Sequence, residues 1–150
     1  MSLFTNILSS GEKDGLYGIK DIIQKYGEKK FTGECEKVFE GHTDFVNNVD
    51  QLSDGRLVSC SFDHTLRLWS LDGDCETVFK GHTYTVLNVI QLSDGRLVSC
   101  SSDATLRLWN LDGECERVFE GHTSWVKNII QLSDGRLVSC SSDETLRLWN

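Results

Sequence analysis

The sequence predicts an all-β fold built from three copies of one small antiparallel sheet. The first observation is a 40-residue repeat, since the block QLSDGRLVSCS begins at Gln51 and returns unchanged at Gln91 and Gln131. The second is a two-residue alternation of side chains within each copy, which is the period of a β-strand. The third is the recurrence of Asp-Gly turns between the alternating segments. A repeat of this length made of strands is typical of β-propeller blades.

Each copy contains four predicted strands joined by tight turns. In the first copy the strands cover 46–52, 56–61, 65–69 and 76–79. Alternation places Val58 and Cys60 on one side of the second strand, and Leu66 and Leu68 on one side of the third. Turn residues separate the strands at 53–55, 63–64 and 71–73. Four strands in this order form an antiparallel meander, which is the content of one blade.

The recurring residues resemble those of a known family. Gly41-His42-Thr43, a Ser-x-Asp-x-Thr turn and a strand that ends in Trp69 all return at intervals of 40 residues. This pattern is similar to that of the WD-repeat (tryptophan–aspartate repeat) β-propeller family over Glu34–Asn150. One feature departs from the family pattern, because the Trp-Asp pair is Trp-Ser or Trp-Asn here. The family often replaces this Asp, so the resemblance still implies propeller blades.

Each copy also carries one histidine, one serine, one aspartate and one tryptophan at fixed positions. They are His42, Ser59, Asp63 and Trp69; His82, Ser99, Asp103 and Trp109; and His122, Ser139, Asp143 and Trp149. Ser, His and Asp are the residue types of a hydrolytic triad, but three identical copies without a Gly-x-Ser-x-Gly turn do not suit one activated nucleophile. The WD-repeat resemblance implies instead a buried hydrogen-bond network in each blade. We therefore predict no catalytic residue and no enzyme activity.

Cysteine and histidine spacing does not favour a metal site. The six cysteines form two series that step by 40 residues, and no Cys-x-x-Cys pair occurs. We expect buried thiols that act as small hydrophobic residues. The Gly-His histidines belong to separate blades, and the sequence has no acidic loop of the EF-hand kind. The sequence thus predicts no metal and no cofactor.

The amino-acid composition indicates which classes of partner and which cellular compartment to expect. The formal net charge is -8, whereas nucleic-acid binding depends on Lys and Arg that neutralise phosphates. The absence of a basic cluster argues against nucleic acid and against an anionic membrane. No apolar run approaches the roughly 20 residues that cross a bilayer, and the first ten residues do not resemble a secretory signal. We therefore expect a cytoplasmic protein.

Positions that differ between the copies indicate surface that the blade does not need for folding. Several carry large side chains close to the Gly-His and Ser-x-Asp motifs, and the WD-repeat resemblance implies that these positions lie on one face of the ring. Exposed aromatic residues are common anchors of protein interfaces. We therefore predict a protein- or peptide-binding face formed by Phe45, Asn47, Phe62, Tyr84, Leu87, Trp125 and Lys127.

The order of the repeats predicts how the blades are completed. Residues 31–40 match the outer strand of a repeat, and the three copies follow at 41–80, 81–120 and 121–150. Three blades are fewer than the roughly four to eight that close a ring. We predict that Glu34–Phe39 pairs with Thr145–Trp149 of a neighbouring copy, which gives six blades as a homodimer or nine as a homotrimer. The alternative is a fragment of a longer propeller.

Residues 1–30 do not repeat. They contain apolar residues spaced by three and four, which predicts one amphipathic helix: Leu16, Ile19, Ile22, Ile23 and Tyr26. For the whole chain, the leading interpretation is a non-catalytic protein- or peptide-binding scaffold on a propeller assembled from identical chains. The near-identity of the copies leaves an alternative open, a self-assembling amplified or engineered propeller with no specific partner.

Overall fold

The described part of the protein is an all-β structure. The computed structural model describes residues 32–150, and the chain divides into a first unit, Met1–Glu36, and a second, Lys37–Asn150. All strands of the described residues belong to the second unit. The amphipathic helix predicted within residues 1–30 lies outside the described residues.

Among residues 32–150, eleven strands form three antiparallel sheets. Blade 1 consists of β1 (Val46–Gln51), β2 (Leu57–Ser61), β3 (Leu66–Trp69) and β4 (Cys75–Phe79). Blade 2 consists of β5 (Val86–Gln91), β6 (Leu97–Ser101), β7 (Leu106–Trp109) and β8 (Cys115–Phe119). Blade 3 consists of β9 (Val126–Gln131), β10 (Leu137–Ser141) and β11 (Leu146–Trp149). Strands that follow one another in sequence are paired, so the predicted meander is confirmed.

Tight turns fix the register between the strands. In blade 1, the backbone N–H of Leu52 donates to the carbonyl of Arg56 at 2.8 Å, and Gly55 N–H donates to the carbonyl of Leu52 at 2.9 Å. Gly55 has a φ of 94°, a conformation that favours glycine. The turn places Gln51 opposite Leu57, and the same turn returns in the other two blades.

The hydrophobic core lies between neighbouring blades. Between blades 1 and 2, Leu66 and Leu68 of β3 belong to the same buried cluster as Val86 and Val89 of β5. An equivalent layer joins blades 2 and 3, and it contains Leu106, Leu108, Val126 and Ile129. Burial of apolar surface stabilises by roughly 25 cal/mol per Å². Each blade is therefore stabilised mainly by the blades beside it.

Two blade faces of the second unit are not covered by another blade. On blade 1, the open face carries Val46 and Val49, and Val49 is 58% exposed. On blade 3, the open face carries Leu146 and Leu148, and Leu148 is 53% exposed. The residues at the same repeat positions inside the row of blades are buried. Each open face therefore carries one side of the apolar layer that joins neighbouring blades, without the other side packed against it.

The outer strand expected over residues 31–40 is not formed in the described chain, where residues 32–40 are irregular and strand pairing begins at Val46. A strand needs a ladder of backbone hydrogen bonds to a neighbouring strand. The predicted partner, β11, lies in blade 3, at the other end of the row of blades. Within one chain the two segments therefore do not pair.

The leading segment, defined as residues 37–40, nevertheless lies where an outer strand of a preceding blade would lie. The ring of Phe39 meets the edge of Trp69 with 5.9 Å between centroids, and the same contact joins blade 1 to blade 2 and blade 2 to blade 3. The side chain of Lys37 packs against Gly73, as Thr77 of β4 packs against Gly113. Blade 1 is thus already in contact with a segment in the outer-strand position.

The cysteines differ according to the strand that carries them. Cys60 and Cys100, in the second strands, are buried as expected, and burial raises the pKa of the Cys60 thiol to about 12. Cys35, Cys75 and Cys115 are exposed, so the expectation of buried thiols is wrong for these three residues. The reason is that Cys75 and Cys115 lie on outer strands, which form the edge of their sheets, and that Cys35 lies in the irregular stretch 32–40.

Candidate functional site

The histidine, serine, aspartate and tryptophan of each copy meet inside their blade. In blade 2, His82 Nδ1 lies 2.7 Å from Asp103 Oδ2, and His82 Nε2 lies 2.7 Å from Ser99 Oγ. Ser99 Oγ also accepts the indole N–H of Trp109 at 2.9 Å. This pattern fits a neutral imidazole that donates from Nδ1 to the carboxylate and accepts the serine hydroxyl at Nε2.

The same three contacts occur in the other two blades at 2.7 or 2.8 Å. They join His42, Ser59, Asp63 and Trp69 in blade 1, and His122, Ser139, Asp143 and Trp149 in blade 3. The structure therefore brings together the four residue types that the sequence grouped, once in every blade.

The aspartate of the network also holds the turn between the second and third strands. Asp103 accepts the backbone N–H of Thr83 at 3.1 Å, and both the N–H and the hydroxyl of Thr105 at 3.0 and 2.7 Å. Burial alone raises the pKa of Asp103, but hydrogen bonds from His82 and Thr105 outweigh burial and leave this pKa well below its usual range. Burial lowers the pKa of His82. At neutral pH the network therefore combines an ionised carboxylate with a neutral imidazole.

The network has the order of a Ser-His-Asp triad but is enclosed by the blade. Ser99 is fully buried, and its oxygen already accepts a hydrogen bond from Trp109. Ser59 and Ser139 are buried as well. A nucleophile has to reach its substrate, with hydrogen-bond donors placed beside the reacting carbonyl. The arrangement instead lets four polar side chains satisfy one another inside an apolar sheet.

The glycine before each histidine allows the tryptophan to pack closely. A Cβ atom added at Gly81 would lie 2.7 Å from Arg107 Nη1 and 3.1 Å from Trp109 Cη2. A larger residue would therefore push against the tryptophan that donates to Ser99. This contact gives the recurring Gly-His pair a physical reason.

The aromatic residues predicted for partner binding lie at one end of the blades, where the inner strands begin and the second strands turn into the third. Trp125 is 57% exposed, and Tyr84 is exposed to a similar degree. The rings of Phe45 and Phe62 meet edge to face with centroids 5.7 Å apart. These side chains form an aromatic surface, called the aromatic face below.

Four of the predicted residues line one groove on the aromatic face. The groove has a volume of about 440 Å³ and is lined by Phe62, Tyr84, Thr85, Leu87, Ser102 and Trp125. All six occupy repeat positions at which the three copies differ. The groove is therefore formed by side chains that the blade itself does not require.

The other predicted binding residues lie outside this groove. Phe45 packs beside Phe62, and Lys127 is exposed on β9. Asn47 donates its side-chain amide to the carbonyl of Val86 at 2.7 Å. In this chain Asn47 thus joins blade 1 to blade 2.

Sequence reasoning missed a row of asparagines on the inner strands. Asn48 donates its amide Nδ2 to Asn88 Oδ1, and Asn88 donates in the same way to Asn128. A signal was present, because asparagine recurs at this position in all three copies. Recurrence alone, however, does not reveal that these side chains contact one another from blade to blade.

Metal-ligating residues are dispersed in the part of the chain that the structure describes. No group of three His, Cys, Asp or Glu residues in 32–150 is placed to hold a metal ion. His64, which is not part of a blade network, packs against Tyr84 with ring centroids 6.2 Å apart. Over the same range, no helix has the length and apolar character needed to span a membrane.

Comparison with known families agrees with this architecture. The family model described as WD domain, G-beta repeat (WD40) matches residues 33–70, 73–110 and 113–150. The chain belongs to the WD40 family. Each matched WD40 stretch is offset from the structural blade, because it contains one outer strand position and the first three strands of the following blade.

Known WD40 relatives are similar over part of their length. Nuclear distribution protein PAC1-2 of Uncinocarpus reesii is 39% identical over 67 residues, which are 44% of this chain and 13% of that protein. Ribosome biogenesis protein YTM1 of Kluyveromyces lactis is 37% identical over 65 residues, 43% of this chain and 13% of that protein. The crystal structure of the WD40 β-propeller domain of Doa1 matches with a TM-score of 0.73 and 30% identity, over 77% of this chain and 40% of that chain.

Proposed function

We propose that this chain is a non-catalytic scaffold that binds a protein or peptide on its aromatic face, within a propeller completed by further copies of the same chain. The observation that carries the proposal is the composition of the groove. Every residue that lines it occupies a position that varies between otherwise near-identical copies. Apolar grooves with a few polar groups and aromatic walls are typical binding sites.

The groove favours a ligand with an apolar side chain. Phe62, Tyr84 and Trp125 supply aromatic surface, while Thr85 and Ser102 supply hydroxyl groups. A short peptide could insert an apolar residue between the rings and direct backbone groups to the hydroxyls. The net charge of -8 supports a protein partner over nucleic acid or an anionic membrane.

Replacing both Phe62 and Trp125 with alanine is expected to weaken peptide binding by at least about tenfold, because aromatic anchors carry much of the affinity at protein interfaces. Peptides would be selected from a random library on the wild-type protein, and their dissociation constants measured for both proteins by fluorescence anisotropy. Both side chains are exposed, so the far-UV circular dichroism should not change.

Val118→Ala is the matched control, since Val118 is an exposed apolar residue on the outer strand of blade 2, away from the aromatic face. It should bind the selected peptides as the wild type does. Selected peptides that bind the double variant with unchanged affinity would remove the groove as the binding site.

The proposed ring is supported by the two open faces. In a head-to-tail arrangement, Leu146 and Leu148 of one copy would pack against Val46 and Val49 of the next. That contact repeats the layer already present between blades 1 and 2 and between blades 2 and 3. An apolar depression of about 230 Å³ on blade 3, lined in part by Ile130, Val138 and Leu146, provides space for the incoming valines.

The same docking would supply blade 3 with a fourth strand. The leading segment would come to lie beside β11 of the neighbouring copy, in agreement with the predicted pairing of Glu34–Phe39 with Thr145–Trp149. By the register of β3 and β4, Phe39 would stand opposite Leu146, and Val38 opposite Arg147. Two copies would form six blades and three copies nine, within or close to the range of known propellers.

A second candidate function is assembly without a specific partner. It is favoured by the eleven-residue block that is identical in all three copies, which is typical of a recently amplified or engineered repeat. The peptide selection separates the two candidates, since a protein whose role is assembly alone would enrich no peptide. In either case we place the protein in the cytoplasm, because buried thiols such as Cys60 and Cys100 suit a reducing compartment.

A further inference from the structure

We infer that polar side chains on the inner strands direct how a second copy docks, with Asn128 of one copy donating a hydrogen bond to Asn48 of the next. The inference rests on the proposed assembly and adds polar contacts that the apolar faces and the strand pairing do not specify. Its basis is the asparagine row described above, which has a direction and two unlike ends.

The direction of the row is fixed by the backbone. The side-chain Oδ1 atoms of Asn48, Asn88 and Asn128 each accept the N–H of the residue that follows, at 2.9, 2.8 and 2.8 Å. With the oxygen held in this way, the amide Nδ2 of each asparagine is directed towards the following blade. Asn48 therefore donates to Asn88, and Asn88 donates to Asn128.

The two ends of the row are complementary. Within residues 32–150, Asn128 Nδ2 has no hydrogen-bond acceptor, although the amides of Asn48 and Asn88 each have one. At the other end, Asn48 Oδ1 accepts one hydrogen bond, whereas Asn88 Oδ1 accepts two. A donor is thus available on blade 3 and an acceptor on blade 1. These two atoms would meet when blade 3 of one copy packs on blade 1 of the next.

A row of glutamines repeats this directional pattern. The side-chain oxygens of Gln91 and Gln131 each accept the backbone N–H of a turn serine in the preceding blade, at 2.8 and 2.9 Å. In blade 1 the equivalent acceptor is Gln51, and in blade 3 the equivalent donor is the N–H of Ser133. For these two groups, the described residues provide no such partner within the chain. A neighbouring copy would supply one to each.

Arg136 provides a third indication. Arg56 and Arg96 each bind an aspartate of their own turn and a glutamate of the outer strand, the latter at 2.9 and 3.0 Å. Among the described residues, the ion pair of Arg136 is with Asp134. By the 40-residue repeat, the matching glutamate is Glu36, which precedes the leading segment. In the assembly it would come from the neighbouring copy.

These polar groups select one docking arrangement among several that apolar faces alone would allow. Apolar contacts are not directional, so two blade 3 faces could also pack together. That arrangement would bring two Asn128 donors face to face and leave both without an acceptor. A polar group buried without a partner is unfavourable, and the polar rows therefore favour head-to-tail docking over face-to-face docking.

Two substitutions that add the same charge separate the contact between copies from the contact within the chain. Asn128→Asp keeps the oxygen that accepts from Asn88 but replaces the outward donor with a carboxylate oxygen. Asn48→Asp keeps the acceptor offered to Asn128 of the preceding copy but removes the donor to Asn88. We expect Asn128→Asp to raise the dissociation constant of the assembly at least about tenfold, while Asn48→Asp keeps the assembly and lowers the melting temperature.

Sedimentation equilibrium over a dilution series would give the dissociation constants, and circular dichroism would follow the fold. Asn128→Leu removes the donor without adding charge, and it should loosen the assembly in the same sense. If the wild type assembles and the Asn128→Asp variant assembles equally tightly, this inference is wrong. The proposed ring would still stand. Equal loosening by Asn48→Asp would contradict the direction of the row. A monomeric wild type would contradict both the proposed ring and the proposed role of the asparagine row in docking.

Discussion

Replacing Leu148 with glutamate is expected to convert the assembled protein into single folded chains of 16.9 kDa. Leu148 is half exposed in the single chain, so the carboxylate of a glutamate at this position would remain hydrated. In the ring it would take the place that Leu68 and Leu108 hold between blades, where both are buried. Burying an unpaired carboxylate costs on the order of 3 kcal/mol or more at each junction. This cost would greatly reduce the population of closed rings.

Light scattering coupled to size-exclusion chromatography would measure the mass of this variant, and far-UV circular dichroism would confirm that the blades remain. Val118→Glu adds the same charge on the outer strand of blade 2, outside any proposed junction, and should keep the wild-type mass. A Leu148→Glu protein with the mass of the assembled wild type would show that blade 3 does not meet another copy through this face.

Removing the carboxylate of Asp103 is expected to lower the free energy of unfolding by about 3 kcal/mol. In the Asp103→Ala variant, the Nδ1–H of His82 and the backbone N–H groups of Thr83 and Thr105 would all lose their acceptor. The imidazole is buried, so water does not readily replace the carboxylate. The turn that brings β6 to β7 would lose its main polar contact at the same time.

Urea denaturation followed by tryptophan fluorescence would measure this loss. Asp112→Ala is the matched control, because Asp112 is an exposed aspartate in the turn between β7 and β8. The control should change the unfolding free energy by less than about 0.5 kcal/mol. If the two variants unfolded at the same urea concentration, the network would contribute little to stability.

The blade was predictable because three near-identical copies reveal what the fold needs. Recurrence with alternation located β2 and β3, and the turn residues at 53–55, 63–64 and 71–73 located their ends to within one residue. The solvent exposure of individual side chains was less predictable, as the exposed thiols of Cys75 and Cys115 illustrate. A repeat keeps a residue type at a position, but it does not tell whether the strand lies at an edge. The irregular stretch 32–40 has a similar cause, since a strand depends on its neighbour as much as on its sequence.

The residues of the groove were easier to predict from the sequence than the row of asparagines on the inner strands. Variation between copies led to the residues that line the groove. The same reasoning included Asn47, which bonds to the backbone of Val86 across two blades, because a varying position can still serve a local contact. The row through Asn48 escaped prediction because contacts between inner strands depend on how blades are arranged, which the pattern within one copy does not contain.

The mass of the wild-type protein in solution tests the proposed ring most directly. The apolar faces at the two ends of the row predict a single species with two or three times the 16.9 kDa mass of one chain, stable to dilution into the micromolar range. A well-folded, monodisperse species of 16.9 kDa under the same conditions would contradict the ring.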